Sequence, residues 1–293
     1  LDIKIASSAI EEMSRAFTMF APYRSVRKVS IFGSARTMPD SPIYALTAAT
    51  AKALADHHFM VVTGAGPGIM EAGMVGAGKE NSIGVSIRLP FESGANSVIA
   101  GDDKYVSMRY FFTRKLMLVK ESHAFLCMPG GFGTLDETFE LLTLAQTAKS
   151  VPVPIVFLEV PGHPFWTPLL NALEPLLLDH GLISASDISL YTITDNIEDA
   201  VNEITRFYSN YDSIRFVDNL LYIRVQRAIP IDKFSEISSR FAFLATDGII
   251  LQASATPEEV KDNDLPDLPR VCLNYAAKGF ADLRGLIDAL NQF

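Results

Sequence analysis

The feature that most constrains the fold is a regular alternation of short apolar runs with longer helical stretches. Four of the runs predict strands, at 28–32, 59–63, 124–128 and 155–158, and each is followed by a stretch with helical spacing. Strands that alternate with helices are joined by right-handed crossovers, which makes their sheet parallel. Nearly continuous apolar strands are typical of a sheet that is buried on both sides. The sequence therefore predicts an α/β fold in which helices cover both faces of a parallel sheet.

The alternation also predicts how the chain is divided. Residues 1–24 carry an amphipathic opening helix, and residues 25–208 hold the α/β block. The polar stretch Ser209–Ser213 is predicted to be a linker. Residues 213–293 predict a small α+β domain with the element order β-α-β-β-α, in which the Pro- and Asp-rich run Thr256–Pro269 is a loop. This domain contains no motif associated with chemistry, so we expect it to serve regulation or assembly.

Composition and charge argue against several classes of protein. The formal net charge of -9 disfavours a nucleic-acid partner, which requires a basic face. The apolar stretches are broken within about ten residues, short of the roughly 20 that cross a bilayer, so no membrane partner is expected. The N-terminal stretch has no signal-peptide pattern. Cys127 and Cys272 lie far apart in apolar surroundings and are expected to be reduced thiols of a cytoplasmic protein. The five histidines form no close His/Cys ligand set, so no metal site is expected.

Three of the predicted strands end in glycine turns that suit phosphate. The turns are Gly33-Ser34, Gly64–Gly68 and Gly130–Thr134. Each exposes backbone N–H groups at the start of a helix, where the helix dipole also favours an anion. Because ligands of such sheets lie outside the carboxyl ends of the strands, three turns at one edge predict a nucleotide pocket. The alternative is that these glycines only make tight turns.

Two interpretations are open for the helix that follows the third turn. Residues 134–137 have the spacing of a capping box, with Thr134 as N-cap and Glu137 three residues later. Alternatively, phosphate binds at Gly131, Gly133 and Thr134, and Glu137 faces a neutral sugar, because a carboxylate close to phosphate would repel it.

Charged residues inside apolar helical stripes are the second informative feature. Arg114 and Lys115 both occupy such positions, where cations rarely lie deep without a partner. Snorkelling to the surface is the ordinary interpretation for Lys115, whereas the planar guanidinium of Arg114 suits a phosphate or a carboxylate. Glu71 lies in the first turn of a predicted helix and is either a dipole-favoured carboxylate or part of the pocket lining.

A dinucleotide-binding fingerprint is the main rival to these interpretations. The glycines at 64, 66 and 68 are spaced G-x-G-x-G, not G-x-G-x-x-G. No acidic residue closes the next strand to hold a ribose diol, since Arg88 stands there instead. An NADP-dependent oxidoreductase that uses Arg88 is therefore an alternative.

The stretch PGGFGTLDE at 129–137 and the upstream pair Arg114-Lys115 resemble the LOG ("lonely guy") family of nucleoside-monophosphate phosphoribohydrolases, long mislabelled as lysine decarboxylases. The family patterns are PGGxGTxxE and an Arg-Lys pair, and the stretches 33–34 and 64–72 match two further family segments. The likeness spans about residues 25–208. It implies a Rossmann-like, doubly wound parallel sheet and a homodimer or larger assembly.

The resemblance also implies a reaction, the hydrolysis of the N-glycosidic bond of a purine nucleoside 5′-monophosphate to free base and ribose 5-phosphate, without a cofactor. By matching position, Arg114 and Glu137 are catalytic. A carboxylate stabilises the oxocarbenium-like transition state of such a cleavage, and Arg114 orients the phosphate or Glu137. The residues expected to bind substrate or phosphate are Ser34, Gly66, Gly68, Glu71, Arg109, Lys115, Gly130, Gly131, Gly133 and Thr134.

Two departures from the family leave the preferred base undecided, so that the substrate is either AMP or a cytokinin riboside monophosphate. Phe112-Thr113 replaces the usual His-Glu before the Arg-Lys pair, and the unit after residue 210 lies outside the short plant-type members. Decarboxylation is disfavoured, because no lysine stands in a context suited to a pyridoxal phosphate Schiff base. Some Rossmann-like relatives hold a nucleotide-like cofactor without hydrolysing it, so a binding or carrier protein is a further alternative.

Overall fold

A computed structural model describes residues 2–88, 94–276 and 279–293. The structure divides into two compact units. The first unit contains Leu1–Leu141, Val153–Leu182 and Tyr191–Glu203. The second contains Leu142–Pro152, Ile183–Leu190 and Ile204–Phe293.

The first unit follows the predicted alternation of strands and helices. Its strands are β1 (Lys28–Phe32), β2 (Met60–Thr63), β3 (Ser82–Ile87), β4 (Tyr105–Met108), β5 (Ala124–Cys127), β6 (Ile155–Leu158) and β7 (Thr192–Thr194). Its helices are α1 (Asp2–Phe20), α2 (Pro42–Asp56), α3 (Ile69–Ala77), α4 (Phe111–Lys120), α5 (Phe132–Gln146), α6 (Trp166–Asp179) and α7 (Ile197–Arg206). The last residues of α5 and α7 belong to the second unit.

The seven strands form one parallel sheet in the order β4-β3-β2-β1-β5-β6-β7. Every residue of β1, β2, β5 and β6 is buried, as expected for a sheet covered on both faces. The strand order reverses at β1, which places a crevice outside the carboxyl ends of β1 and β5. The predicted Rossmann-like, doubly wound sheet is confirmed.

Local sequence explains where several of these elements begin. Pro42 occupies the first turn of α2, and the Ser41 side chain accepts a hydrogen bond from the Tyr44 amide. The edge strand β4 is not among the four strands predicted above. Its four residues alternate between half-buried and buried, so its apolar run is too short to stand out.

The second unit contains a four-stranded antiparallel sheet in the order β10-β11-β9-β8. Its strands are β8 (Tyr211–Val217), β9 (Leu220–Val225), β10 (Ala245–Ala253) and β11 (Arg270–Tyr275). Its own helices are α8 (Ile231–Arg240), α9 (Pro257–Asp262) and α10 (Ala281–Leu290). The unit is α+β, as predicted.

Two predictions for this unit are wrong in detail. Strand β8 begins at Tyr211, inside the stretch predicted to be a linker, because Tyr211 is buried and the strand pairs with β9 through a turn of Asp218 and Asn219, both with positive φ. The predicted loop Thr256–Pro269 contains α9, which begins with a capping box formed by Thr256 and Glu259.

Glu259 is also the centre of a buried charge network in this unit. It is fully buried and pairs with Arg224 at 2.7 Å and with Arg270 at 3.0 Å. Burial opposes its ionisation, but hydrogen bonds from the Thr256 amide, Arg224 and Arg270 lower the pKa of Glu259 to about 2. No helix among the described residues has the length and apolar character needed to span a membrane.

Candidate active site

A cavity of about 1070 Å³ lies at the carboxyl ends of the strands in the first unit. Its walls come from the ends of β1, β2, β3 and β5, from β4, and from the starts of α4, α5 and α6. Ligands of parallel α/β sheets bind at this edge, and cavities of such a size hold small molecules. The three glycine turns therefore meet in one cavity.

Tight packing accounts for some of the glycines in these turns. A Cβ atom on Gly33 would lie 2.4 Å from Ile69 Cγ2, and one on Gly130 would lie 2.1 Å from Thr134 Oγ1. Gly68 has a φ of +68°, and a Cβ there would lie 2.4 Å from the Ser34 carbonyl oxygen. These three glycines are required by the chain's own close contacts.

Gly131 and Gly133 have no such explanation. Both line the cavity, and neither belongs to the glycines with positive φ. Apart from the adjacent residues and, for Gly133, the backbone of its own helix, a Cβ atom at either position would meet no atom of the described residues within 4 Å. Since the protein itself leaves room for a side chain at both positions, the space is suited to the close approach of a ligand to the backbone.

Helix α5 begins before the position that the capping-box interpretation requires. The amides of Thr134 and Leu135 donate to the Gly131 carbonyl at 2.9 and 3.0 Å, and the helix starts at Phe132. Thr134 therefore lies inside the first turn and is not the N-cap, so the capping-box interpretation of Thr134–Glu137 is wrong. The early start places Gly133 in the first helical turn, where amides have no partner within the helix.

Glu137 is the acidic residue most enclosed by the cavity. It is buried, lines the cavity, and lies with Oε1 4.0 Å from Arg114 Nη1 and Oε2 3.8 Å from Lys115 Nζ. Among the described residues, its Oε2 is buried without a hydrogen-bond partner. Burial raises the pKa of Glu137, Lys115 and Arg114 oppose the rise, and Asp136 adds to it. A buried carboxylate oxygen that accepts no hydrogen bond fits a group that binds a ligand or a water.

Arg114 is held rigidly beside Glu137. Its Nε donates to the Val85 carbonyl at 3.1 Å, and its side chain is 15% exposed. A Cβ atom on Gly64 would lie 2.2 Å from Arg114 Nη2, so Gly64 makes room for the guanidinium. Arg114 lines the cavity, and its planar guanidinium is of the kind that binds an anion or a carboxylate such as that of Glu137.

Lys115 lies outside the described cavity wall and connects α4 with α5. Its Nζ pairs with Asp136 at 2.9 Å and with Glu140 at 2.6 Å, besides the longer contact with Glu137. Burial opposes its protonation, but these carboxylates outweigh that effect and raise the pKa of Lys115. The ammonium is therefore occupied by three carboxylates of α5.

The other predicted site residues divide into two groups. Ser34, Gly66, Gly130 and Thr134 line the cavity, as do Gly131, Gly133, Arg114 and Glu137, whereas Gly68 and Lys115 do not. Glu71, in the first turn of α3, and Arg109 lie outside the cavity wall that the described residues form. Arg109 is exposed, with its guanidinium 5.5 Å from the centroid of the Tyr110 ring.

Several cavity residues were not among the predicted site residues, although Arg88 was considered for the NADP alternative. Arg36, Ser86 and Arg88 line the wall, and each follows or ends a strand at the edge that carries the glycine turns, so the strand-end rule could have found them. Tyr105 and Phe165 also line the cavity. No local pattern marks these two, because edge strand β4 and the start of α6 have no motif.

The fold and the cavity place the chain among the α/β proteins with a doubly wound parallel sheet, and the comparisons narrow this class. Residues 68–204 match a family model described as possible lysine decarboxylase. A probable cytokinin riboside 5′-monophosphate phosphoribohydrolase of Oryza sativa subsp. japonica is 27% identical over 186 residues, 61% of this chain and 77% of that protein. A cytokinin riboside 5′-monophosphate phosphoribohydrolase of Mycobacterium tuberculosis is 32% identical over 99 residues, 34% of this chain and 51% of that protein.

Among solved structures, a molybdenum cofactor carrier protein of Chlamydomonas reinhardtii matches 60% of this chain and 94% of its own, at 19% identity and a TM-score of 0.40. The chain spans about half the length of most of the curated relatives it matches. The resemblance to the LOG family is confirmed by the family model and by these relatives.

Among the described residues, no group of three or more His, Cys, Asp or Glu side chains could hold a metal ion.

Proposed function

We propose that this chain hydrolyses the N-glycosidic bond of a purine nucleoside 5′-monophosphate, releasing the free base and ribose 5-phosphate. The observation that carries the proposal is the buried Glu137 carboxylate, which lines the cavity beside Arg114 at 4.0 Å and has one oxygen that accepts no hydrogen bond from the described residues. It lies one turn from two glycines whose open backbone no contact within the chain requires. Together these features provide adjacent places for an anion and for a developing positive charge.

The phosphate is proposed to bind at the start of α5. Gly131, Gly133 and Thr134 line the cavity there, and the first amides of a helix, together with its dipole, favour an anion. Arg114 adds a fixed positive charge from α4. Ser34, Gly66, Gly68 and Gly130 shape the neighbouring turns.

Glu137 is proposed to act on the ribose. Cleavage of a glycosidic bond passes through an oxocarbenium-like transition state, which an ionised carboxylate stabilises. Glu137 can also accept a hydrogen bond from the attacking water or from a ribose hydroxyl. The bond between C1′ and the base nitrogen breaks, water oxygen bonds to C1′, and the base leaves with a proton.

Glu71, Arg109 and Lys115 have weaker support as substrate-binding residues in this proposal. Each is retained on the resemblance alone, since the described cavity wall does not include them. Lys115 is better explained as the residue that fixes α4 against α5.

AMP or a cytokinin riboside monophosphate is the proposed substrate, because the relatives are named for the latter. The resemblance further supports a homodimer or larger assembly, and the two cysteines, expected to be reduced thiols, support a cytoplasmic location. For the C-terminal unit we propose a regulatory or assembly role, since its described charge network of Glu259, Arg224 and Arg270 is internal.

Chromatography of the purified protein incubated with a panel of nucleoside 5′-monophosphates tests the proposal. We expect a free base and ribose 5-phosphate in equal amounts from at least one purine nucleotide. A nucleotide that co-purifies with the protein and is released intact on denaturation, with no base formed from any member of the panel, would instead identify a binding or carrier protein.

A further inference from the structure

Helix α4, which carries Arg114, begins without a capping side chain of its own. Tyr110 occupies the N-cap position, and its side chain makes no capping hydrogen bond. The cap comes from α1 instead. Glu12 Oε2 accepts hydrogen bonds from the amide of Arg109 at 2.7 Å, from the amide of Tyr110 at 3.4 Å and from Thr113 Oγ1 at 3.1 Å.

Burying the Glu12 carboxylate costs free energy, and the hydrogen bonds that it accepts at the start of α4 must offset that cost. Glu12 is 3% exposed, and its second oxygen, Oε1, is buried without a hydrogen-bond partner among the described residues. Burying a carboxylate is unfavourable unless hydrogen bonds and an opposite charge compensate. Three donors and the positive end of the α4 dipole supply that compensation at a single point, the start of α4.

The capped turn leads directly to Arg114. The Arg114 amide donates to the Tyr110 carbonyl at 3.2 Å, so the position of Arg114 follows from that of Tyr110. The guanidinium then reaches the Val85 carbonyl at 3.1 Å and Glu137 at 4.0 Å. A change in the first turn of α4 therefore displaces the guanidinium relative to the Glu137 carboxylate.

We propose that Glu12 is a positioning residue for the reaction: its carboxylate caps α4 across the fold and so fixes Arg114 against Glu137 and the bound phosphate. This inference rests on the proposed function in assigning a role to Arg114. The capping itself rests only on the contacts of Glu12.

The position of Thr113 provides a way to separate capping from simple packing. Counting from Tyr110 as N-cap, Thr113 is the third residue of the helix. A glutamate at this position of a helix reaches back to the N-cap amide in a capping box. A Thr113→Glu substitution therefore supplies a local carboxylate for the amide that Glu12 serves, at the place where the usual family pattern has His-Glu and this chain has Phe112-Thr113.

The test compares Glu12→Ala, Glu12→Gln, the double variant Glu12→Ala/Thr113→Glu, and Glu11→Ala as the matched control. Glu11 is the exposed neighbour of Glu12 on α1. For each full-length variant, kcat and KM for AMP are measured together with amide hydrogen exchange at Arg109 and Tyr110. We expect Glu12→Ala to lower kcat by about 100-fold, the loss typical of a misplaced positioning group, with a smaller change in KM.

In Glu12→Ala, exchange at Arg109 and Tyr110 should also become faster, and the double variant should recover most of kcat and slow the exchange at Tyr110. Glu11→Ala should match the unchanged protein in both readouts. A folded Glu12→Ala protein with unchanged kcat and exchange would overturn the inference, and so would a double variant that stays as slow as Glu12→Ala.

If Glu12→Ala does not fold, Glu12→Gln decides, because it keeps the side-chain shape and weakens the cap. Faster exchange at Arg109 and Tyr110 with a lowered kcat supports the inference, and no change in either contradicts it. If the unchanged protein releases no base from any nucleotide, the proposed function fails. The capping is then judged separately, by exchange at the same two amides and by the affinity for AMP.

Discussion

Replacing Gly133 with alanine should make the protein more stable and less active. Gly133 lies in the first turn of α5, its φ is not positive, and, apart from the adjacent residues and the backbone of its own helix, a Cβ atom there meets no atom of the described residues within 4 Å. Alanine is favoured over glycine in a helix by about 1 kcal/mol, because glycine loses more backbone freedom on folding. The free energy of unfolding should therefore rise by up to about 1 kcal/mol, an increase of roughly 2–4 °C in Tm.

Activity should change in the opposite direction. Gly133 belongs to the cavity wall, and the new methyl group occupies open space at the turn to which we assign the phosphate. A hydrogen bond to a charged group is worth about 1.5–3 kcal/mol, so losing one lowers kcat/KM for AMP by about 10- to 100-fold.

Gly130→Ala is the matched control for this prediction. Its Cβ would lie 2.1 Å from Thr134 Oγ1 and 3.0 Å from the Ser34 amide nitrogen, so this substitution should lower Tm. Thermal unfolding and initial rates are measured on the same preparation of each variant. If Gly133→Ala keeps the kcat/KM of the unchanged protein, the phosphate does not bind at this turn. If it lowers Tm, the space inferred around Gly133 is wrong.

Three further predictions concern charged residues. Glu137→Gln and Arg114→Ala should each abolish turnover while circular dichroism and Tm stay close to those of the unchanged protein, and a fully active variant would remove that residue from the reaction. Because burial raises the pKa of Glu137 above the ordinary value of 4.5 and the reaction requires its ionised form, kcat should fall with decreasing pH through a pKa above 4.5; an acid limb at or below that value contradicts this. Glu259→Gln should lower the free energy of unfolding at pH 7 by about 3–5 kcal/mol, since it leaves the buried Arg270 without its carboxylate and takes from Arg224 one of its two carboxylates, the other being Asp264. The contribution of Glu259 is complete above the unfolded value of 4.5 and is lost as the pH falls through about 2, so denaturant unfolding of variant and unchanged protein should converge near that pH.

Much of the first unit could be predicted because four of its strands, β1, β2, β5 and β6, are buried on every residue. Apolar runs such as β1 and β6 stand out in the sequence, and their bounds agree with the prediction. Strand β4 could not be predicted in the same way, since an edge strand with alternating burial leaves only a short polar–apolar pattern. Burial on both faces is visible in a sequence, whereas pairing at an edge depends on the neighbouring strand.

The spacing of a capping box matters at two places in the sequence. It suggested a cap that does not form at Thr134 and was overlooked where one does form, at Thr256. Thr134 and Glu137 have the spacing of a capping box, yet α5 starts at Phe132 because the Gly131 carbonyl accepts the first helical hydrogen bonds. Thr256 and Glu259 do form a capping box, in a stretch whose prolines and aspartates predicted a loop. Spacing shows which cap is possible, while the start of a helix also depends on the turn before it.

For the candidate site, the glycines at the strand ends were sufficient to predict the cavity. They did not predict the residues that hold the cavity wall in place. Gly131, Gly133 and Glu137 lie together because they share one turn and one helix. The Glu12 carboxylate reaches Arg109 and Tyr110 from a helix about a hundred residues earlier in the chain. Such a contact follows from tertiary packing, so no local pattern could have predicted it.

The most direct test of the central claim is the rate of base release from AMP and from adenosine, measured at equal concentrations with the same preparation. The proposed phosphate site at Gly131, Gly133 and Arg114 contributes only when the substrate carries the anion. We therefore predict that AMP yields adenine and ribose 5-phosphate in equal amounts, and that adenosine reacts at least about 100-fold more slowly, the effect of losing one or more hydrogen bonds to a charged group. Equal rates for AMP and adenosine would contradict the account, because the glycine turns would then have no part in the reaction.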